Sequence, residues 1–281
     1  MHVDERYLNT CPVGCNAALE ETEYLLPEGA LLRCTGCGQL INQCTEERYL
    51  QSMQEFNDPR GTLPEEGLEQ RRRFRRSKMF LDQITKLLAR SPDEIRLLDV
   101  GCSSGAFLEA AARLGFLAEG VEPAARAAAT AQAAGLKVYT GLLHEAAYQY
   151  RQFDAITLFE VIEHLKEPLP LLHECRRILR PGGILLIGTG NAASWSAAAL
   201  GAHWEYFDIS KHGGHISFYT PTTLAKLTGQ AGFEVASIKT RSVRFLDRSN
   251  NVEPIYILAK IGAELVNPLA KMLGKGSDMA L

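Results

Sequence analysis

Three groups of residues in this 281-residue chain have types and spacings that could do chemistry. The first is Asp99-Val100-Gly101-Cys102-Ser103-Ser104-Gly105, where an apolar run ends in an acid and passes into a loop with two glycines. Glycine lets a backbone turn sharply and lets a ligand lie against it. A carboxylate at the carboxyl end of a strand stands where open α/β sheets bind small molecules. A second acid, Glu122 in Gly120-Val121-Glu122-Pro123, ends the next apolar run, where it can accept both hydroxyls of a ribose. The spacing Gly101-x-x-x-Gly105 lacks the Gly-x-Gly-x-x-Gly of a nicotinamide or flavin site.

The second group is Glu160-Val161-Ile162-Glu163-His164. On a helical turn, Glu160, Glu163 and His164 fall at i, i+3 and i+4 and share one face. Two carboxylates and an imidazole so placed could hold magnesium or manganese, or could simply hydrogen-bond a cofactor or a helix end. His164, or His215 from Gly214-His215-Ile216-Ser217, also suits a general base near neutrality. The third group is cysteine: Cys11-x-x-x-Cys15 and Cys34-x-x-Cys37. Two such knuckle-like pairs match structural zinc, with Gly14, Gly36 and Gly38 free to turn the knuckles and Cys44 as a substitute ligand; free thiols are the alternative. Cys102 and Cys175 read as core or loop thiols.

Composition separates the elements that must position these groups. Residues 1–50 form a cysteine-rich, zinc-ribbon-like module, residues 51–94 a charged helical connector, and residues 95–281 an alternation of short apolar runs and helices. That alternation is the signature of a mostly parallel sheet covered on both faces. Strands are expected at 95–100, 117–121, 136–140, 153–159, 183–189 and 233–239, with a short edge strand at 278–281. Helices are expected at 104–114, 123–134 (Pro123 in its first turn), 142–150, 167–179 and 221–231. A tail helix over 252–273 is bounded by Pro254 and Pro268. It reads as packing on the sheet or on a second subunit rather than on a membrane. The connection 190–217 carries Trp195, Trp204, Tyr206, Phe207, His212 and His215. It suits a flat or sugar-like substrate, or else its tryptophans only pack it onto the core. Arg71-Arg72-Arg73-Phe74-Arg75-Arg76 could contact phosphates, yet Phe74, Leu81, Ile84 and Leu88 at helical spacing imply a buried stripe and a solvated charged face.

A net charge of -3 gives the whole molecule no long-range attraction to nucleic acid. Asp4, Glu5 and Arg6 stand where a secretory signal would begin, and no apolar stretch is long enough to span a bilayer. A cytoplasmic protein with reduced or metal-bound thiols is expected.

Two further segments follow in order: Phe153-Asp154-Ala155-Ile156-Thr157-Leu158-Phe159-Glu160, and Leu179-Arg180-Pro181-Gly182-Gly183 leading into Ile184-Leu185-Leu186-Ile187. With the glycine loop and Glu122, they resemble the class I S-adenosylmethionine-dependent methyltransferases over residues 97–238. The resemblance implies a Rossmann-like, mostly parallel seven-stranded sheet with helices on both faces. It implies that Asp99, Gly101 and Gly105 line the methionine part of the cofactor and that Glu122 holds the ribose. Cys102, Pro123, Leu142 and Phe159 complete the expected cofactor set. The family often has an acid beside the adenine where this chain has Leu142 and Leu143, and a glycine where it has Ser103. The Glu160–His164 motif is similar to one in ubiquinone-pathway O-methyltransferases and small-RNA 2′-O-methyltransferases, where it supplies metal ligands. The expected catalytic residues are Glu160, His164 and His215, with a histidine as general base. The expected activity is methylation of a small metabolite, sugar or glycolipid precursor. The rivals are an RNA methyltransferase gripping RNA with the zinc module and basic helix, and a non-catalytic binding module.

Overall fold

A computed structural model describes residues 6–56, 68–246 and 253–281. The loop expected around Asp58-Pro59-Arg60-Gly61 lies outside these. The chain packs as two units, one of Met1–Phe56, Ile162–Leu169 and Gly188–Leu281, the other of Asn57–Val161 and Pro170–Ile187.

The first unit begins with β1 (Leu19–Leu26), β2 (Gly29–Cys34) and β3 (Leu40–Ile41), paired antiparallel in that order, followed by α1 (Glu46–Phe56). Alternation along these strands sends apolar side chains to both faces. Leu31 and Leu40 join Leu26, Trp204, Phe207 and Phe218 in one cluster. Leu32 and Ile41 join Leu8, Cys44, Ile209 and Ile216 in another. The cysteine-rich segment is thus a sheet with a core on each side, and residues from beyond position 190 build much of both.

The second unit opens with α2 (Leu68–Leu88), which buries Phe80, Leu81 and Ile84 and keeps its arginine run exposed. Phe74 is half-buried, with the Arg113 guanidinium 4.8 Å from its ring centre. Then come β4 (Arg96–Val100), α3 (Ala106–Arg113), β5 (Leu117–Glu122), α4 (Ala125–Ala133), β6 (Val138–Thr140) and β7 (Phe153–Phe159). Strand β4 pairs in parallel with both β5 and β7, and β5 with β6. Successive crossovers step away from β4 on one side and return on the other, so the carboxyl end of β4 is the switch point where such sheets take ligands. The helix expected over 142–150 shrinks to a 3-10 turn, Leu143–Ala146, ended by Ala147 at φ 50°. Pro123 precedes α4 and its N-cap Ala124 rather than joining the first turn.

Helix α5 (Pro168–Ile178) leads to β8 (Leu179–Gly190), whose last residues return the chain to the first unit. The connection 190–217 is not irregular: it holds α6 (Trp195–Leu200), two 3-10 turns and α7 (Ile209–His212). After it come β9 (Ser217–Phe218), α8 (Pro221–Gln230), β10 (Lys239–Arg241), α9 (Glu253–Met272) and β11 (Asp278–Ala280). Strand β9 pairs with β3 and completes the small sheet. The strand expected over 233–239 starts only at Lys239, and Pro268 lies inside α9 rather than ending it. Strand β11 is no edge: it pairs with β8 on one side and β10 on the other. The larger sheet is therefore β10-β11-β8-β7-β4-β5-β6, the expected mostly parallel seven-stranded arrangement.

Arg180 of the Arg-Pro-Gly-Gly segment has a structural task within the second unit. Its guanidinium donates to Asp154 Oδ1 at 2.6 Å, Arg90 donates to the same oxygen at 2.7 Å, and the Arg96 backbone N–H donates to Oδ2 at 2.9 Å. Burial works to raise the Asp154 carboxyl, but these three donors outweigh it and hold the group below its ordinary value. A depressed carboxyl stabilises the fold above its unfolded pKa, and that stability is lost as pH falls through the folded value. Asp154→Asn should therefore cost about 1–2 kcal/mol at neutral pH. The deficit should shrink below about pH 4, as followed by urea unfolding.

Candidate functional site

At the switch point, Val100 leads into Gly101 at φ 74°, Ser103 at φ 49° and Gly105 at φ 89°, the last being the N-cap of α3. A Cβ on Gly101 would meet Val161 Cγ2 at 2.5 Å, so only glycine fits this turn. Ser103 takes the left-handed conformation that a glycine would adopt at no steric cost. Its backbone N–H donates to Glu122 Oε2 at 2.8 Å, while Ala124 N–H donates to Glu122 Oε1 at 2.8 Å. One carboxylate thus braces the loop after β4 and the turn after β5. Burial raises the Glu122 pKa, and the two N–H donors work against it.

Asp99 lies opposite Thr157 in the parallel register and accepts from its hydroxyl at 2.6 Å. Burial pushes the Asp99 carboxyl up to about 7; Thr157 opposes this and the nearby Glu122 adds to it. Both acids lie in low dielectric, where a positive or hydrogen-donating partner would favour their ionised form. Cys102 is buried, with its thiol pushed up by burial. Pro123 is exposed, and Leu142 is half exposed with its N–H donated to Glu145 Oε2 at 2.6 Å. Phe159 packs between Phe80 and Phe107, with ring centres 4.8 and 4.9 Å away. Thr157 and Glu145 were not singled out from sequence; the polar residue in the apolar run of β7 was the available signal for the first.

The first unit holds a different centre. Ile162–His164 is a 3-10 turn, and Glu160 stands before it at φ 54°, so the expected shared helical face does not form. The group that assembles is Glu163, His164 and His215, with ligand atoms within 4.8 Å of one another. Glu163 is fully buried, and its Oε1 accepts from the Tyr206 hydroxyl and lies 3.7 Å from His215 Nε2. The Tyr206 hydroxyl accepts from Gly190 N–H at 2.8 Å and lies 3.0 Å from Thr189 Oγ1. His215 Nδ1 is 3.2 Å from the Tyr206 carbonyl, and the His164 and His215 ring centres are 4.7 Å apart. Tyr206 ties this network together. Its place in the aromatic connection was the signal, but nothing in the sequence paired it with Glu163. Trp204 is buried against Tyr206 and Phe207, and Trp195 packs beside Val243, so both tryptophans pack the core.

Also in the first unit, the sulfurs of Cys11, Cys15, Cys34 and Cys37 lie within 4.8 Å of one another, with Cys11 and Cys37 at 3.6 Å. Zinc–sulfur bonds of about 2.3 Å in a tetrahedron put sulfurs about 3.8 Å apart, so the four thiols fit a zinc ion. The knuckles turn through Gly14 N–H to Cys11 O at 2.9 Å and Gly38 N–H to Cys34 O at 2.8 Å. Lys226 of α8 donates to Cys15 Sγ at 3.0 Å and lowers that thiol's pKa, whereas burial pushes Cys11 up to about 11. Cys44 stands outside the group, in the apolar cluster of Leu8 and Ile41.

Comparison with known proteins agrees with the switch-point geometry. A family model described as a methyltransferase domain matches residues 70–238. A ubiquinone biosynthesis O-methyltransferase of Dinoroseobacter shibae is 38% identical over 176 residues, covering 55% of this chain and 70% of that protein. One from Histophilus somni is 32% identical, covering 52% and 67%. Among solved structures, a methyltransferase of Thermotoga maritima described as a possible histamine N-methyltransferase shares the fold. It has a TM-score of 0.51 at 23% identity, covering 82% of this chain and 97% of that one. An Archaeoglobus fulgidus methyltransferase aligns with a TM-score of 0.50 at 19% identity, covering 73% and 92%. The chain belongs to the methyltransferase-domain family and is an S-adenosylmethionine-dependent methyltransferase.

Asp99 yields a test with two readouts. Its raised pKa means stability is full below the unfolded value near 4 and is lost as pH rises to about 7. Asp99→Asn keeps an oxygen to accept from Thr157. The variant should gain stability over the parent between those limits, level off above them, and bind S-adenosylmethionine at least about tenfold more weakly by calorimetry.

Proposed function

We propose that the chain moves a methyl group from S-adenosylmethionine to a hydroxyl of a small cytoplasmic metabolite, with sugars and glycolipid precursors in the same acceptor class. The observation that carries this reading is the buried Tyr206–Glu163–His215 network. A sulfonium methyl is already activated, so the protein's work is alignment and removal of the acceptor's proton. In this reading Asp99, Gly101, Cys102 and Gly105 hold the methionine part, Glu122 and Pro123 the ribose, and Leu142 and Phe159 the adenine side. His215 takes the hydroxyl proton as the carbon–sulfur bond breaks. Glu163, held by Tyr206, orients the ring and offsets the charge it acquires. His164 is the neighbouring acceptor for the same proton, and Glu160 is assigned to the reaction on sequence grounds alone. The relatives' role in ubiquinone biosynthesis favours an oxygen nucleophile.

The expected magnesium finds a poor match. Two imidazoles and one carboxylate suit zinc, manganese or iron better than a cation that prefers oxygen. The rival acceptor is RNA, gripped by the exposed arginines of α2; its signature is affinity that collapses as salt rises. In a radiolabelled transfer assay over a panel of small phenols and sugars, His215→Asn should lower kcat about 10²–10⁴-fold and leave cofactor affinity unchanged. Unaltered turnover would remove His215 as the base.

The tetrathiol group is read as a structural zinc site. In this reading residues 1–50 are the zinc-bearing module, 51–94 the connector and 95–281 the transferase domain, by the composition of the sequence. Zinc held by Cys11, Cys15, Cys34 and Cys37 would keep the thiols ionised and staple the two knuckles. Purified protein should carry about one zinc per chain. Cys34→Ser should lose it and lower the melting temperature, while a metal-free parent of equal stability would refute the assignment.

A further inference from the structure

Helix α9 has two apolar faces. A narrow one, built on Ala263, Val266 and Ala270, packs against Val243, Trp195 and Phe245. The broad one is turned to solvent and carries the bulkier residues. Its centre is Leu265, 77% exposed, with Leu258 at 71% and Met272 at 76%, each seven residues away. A seven-residue repeat draws a straight seam for a left-handed helix pair.

Among the described residues, the other large exposed apolar side chains on this face obey a second rule. Ile261 and Leu269 stand four positions either side of Leu265, and Ile257 and Leu273, the latter in the turn just past the helix, stand eight either side. The set reads the same from either end of the helix. Such a pattern is self-complementary under a two-fold axis crossing the helix at Leu265. An antiparallel second copy brings Met272 level with Leu258, Leu269 level with Ile261, and Leu265 level with itself.

The area is sufficient. Seven large apolar side chains at these exposures present roughly 700 Å² per copy, close to one partner's share of a standard interface. It exceeds the largest apolar patch of most monomers. Lys260, Glu264 and Lys271 are the charged residues beside it, a mixed rim rather than the basic face of a helix that lies on anionic lipid. We propose that α9 is the dimer interface of this protein, an antiparallel helix pair formed with a second copy of the chain about an axis at Leu265.

Sedimentation of the full-length chain across the micromolar range tests this directly. The parent should run as a dimer, and Leu265→Glu, which sets two carboxylates against each other on the axis, should raise the dissociation constant roughly a hundredfold or more. S-adenosylmethionine binding by that variant reports that it is folded. Leu265→Cys should oxidise to a covalent dimer through its single added thiol, because only a residue on the axis meets its own copy. Leu25→Cys, equally exposed on β1, should not. A parent that stays monomeric overturns the proposal. So does a dimer indifferent to Leu265→Glu, or a monomer that floats with phosphatidylglycerol vesicles through this face.

Discussion

The switch point of the larger sheet depends on keeping two carboxyl groups, Asp99 and Glu122, out of water at the ends of neighbouring strands. Among the described residues, neither forms an ion pair with a basic side chain. Each is held by neutral donors: one threonine hydroxyl for Asp99, two backbone N–H groups for Glu122. Those donors fix both loops of the switch point, so the geometry of the turn and the protonation of the acids are one problem. A ligand that brings positive charge and hydroxyls relieves the burial cost on arrival, which is a way to prefer that ligand over a neutral one of similar size.

The first unit solves burial of a carboxylate differently. Glu163 sits among a phenol and an imidazole, and the phenol is itself anchored by Thr189 and Gly190 at the end of β8. Gly190 can lie against the Tyr206 ring because a Cβ there would collide with it at 2.5 Å. The polar network is therefore fixed by a strand end and a 3-10 turn rather than by a flexible loop.

The central sheet was legible because its strands are buried on both faces and read as continuous apolar runs. The glycine loop and Glu122 were legible because backbone shape and strand-end position are written locally. Residues 233–238 misled because Phe233, Val235 and Ile238 give the segment a strand-like composition, while pairing is decided by which neighbour is free to accept it. Residues 278–280 looked like an edge because their partners, β8 and β10, are distant in sequence. Glu160 was drawn to Glu163 by helical arithmetic, yet its positive φ takes it out of the turn. The pairings of Tyr206 with Glu163 and of Lys226 with Cys15 were missed for a common reason: each joins residues far apart in sequence, and spacing carries no trace of such a meeting.

The pairing of β3 with β9 has a bearing on how the chain comes to be folded. The cysteine knuckles are made before β9, and their sheet gains its fourth strand only when Ser217 and Phe218 have left the ribosome. Until then, Leu31, Leu32, Leu40 and Ile41 lack Trp204, Phe207, Phe218, Ile209 and Ile216, which help cover them. Early capture of a metal by the four thiols would hold the hairpin closed through that interval, shielding an apolar sheet whose open edge invites wrong partners.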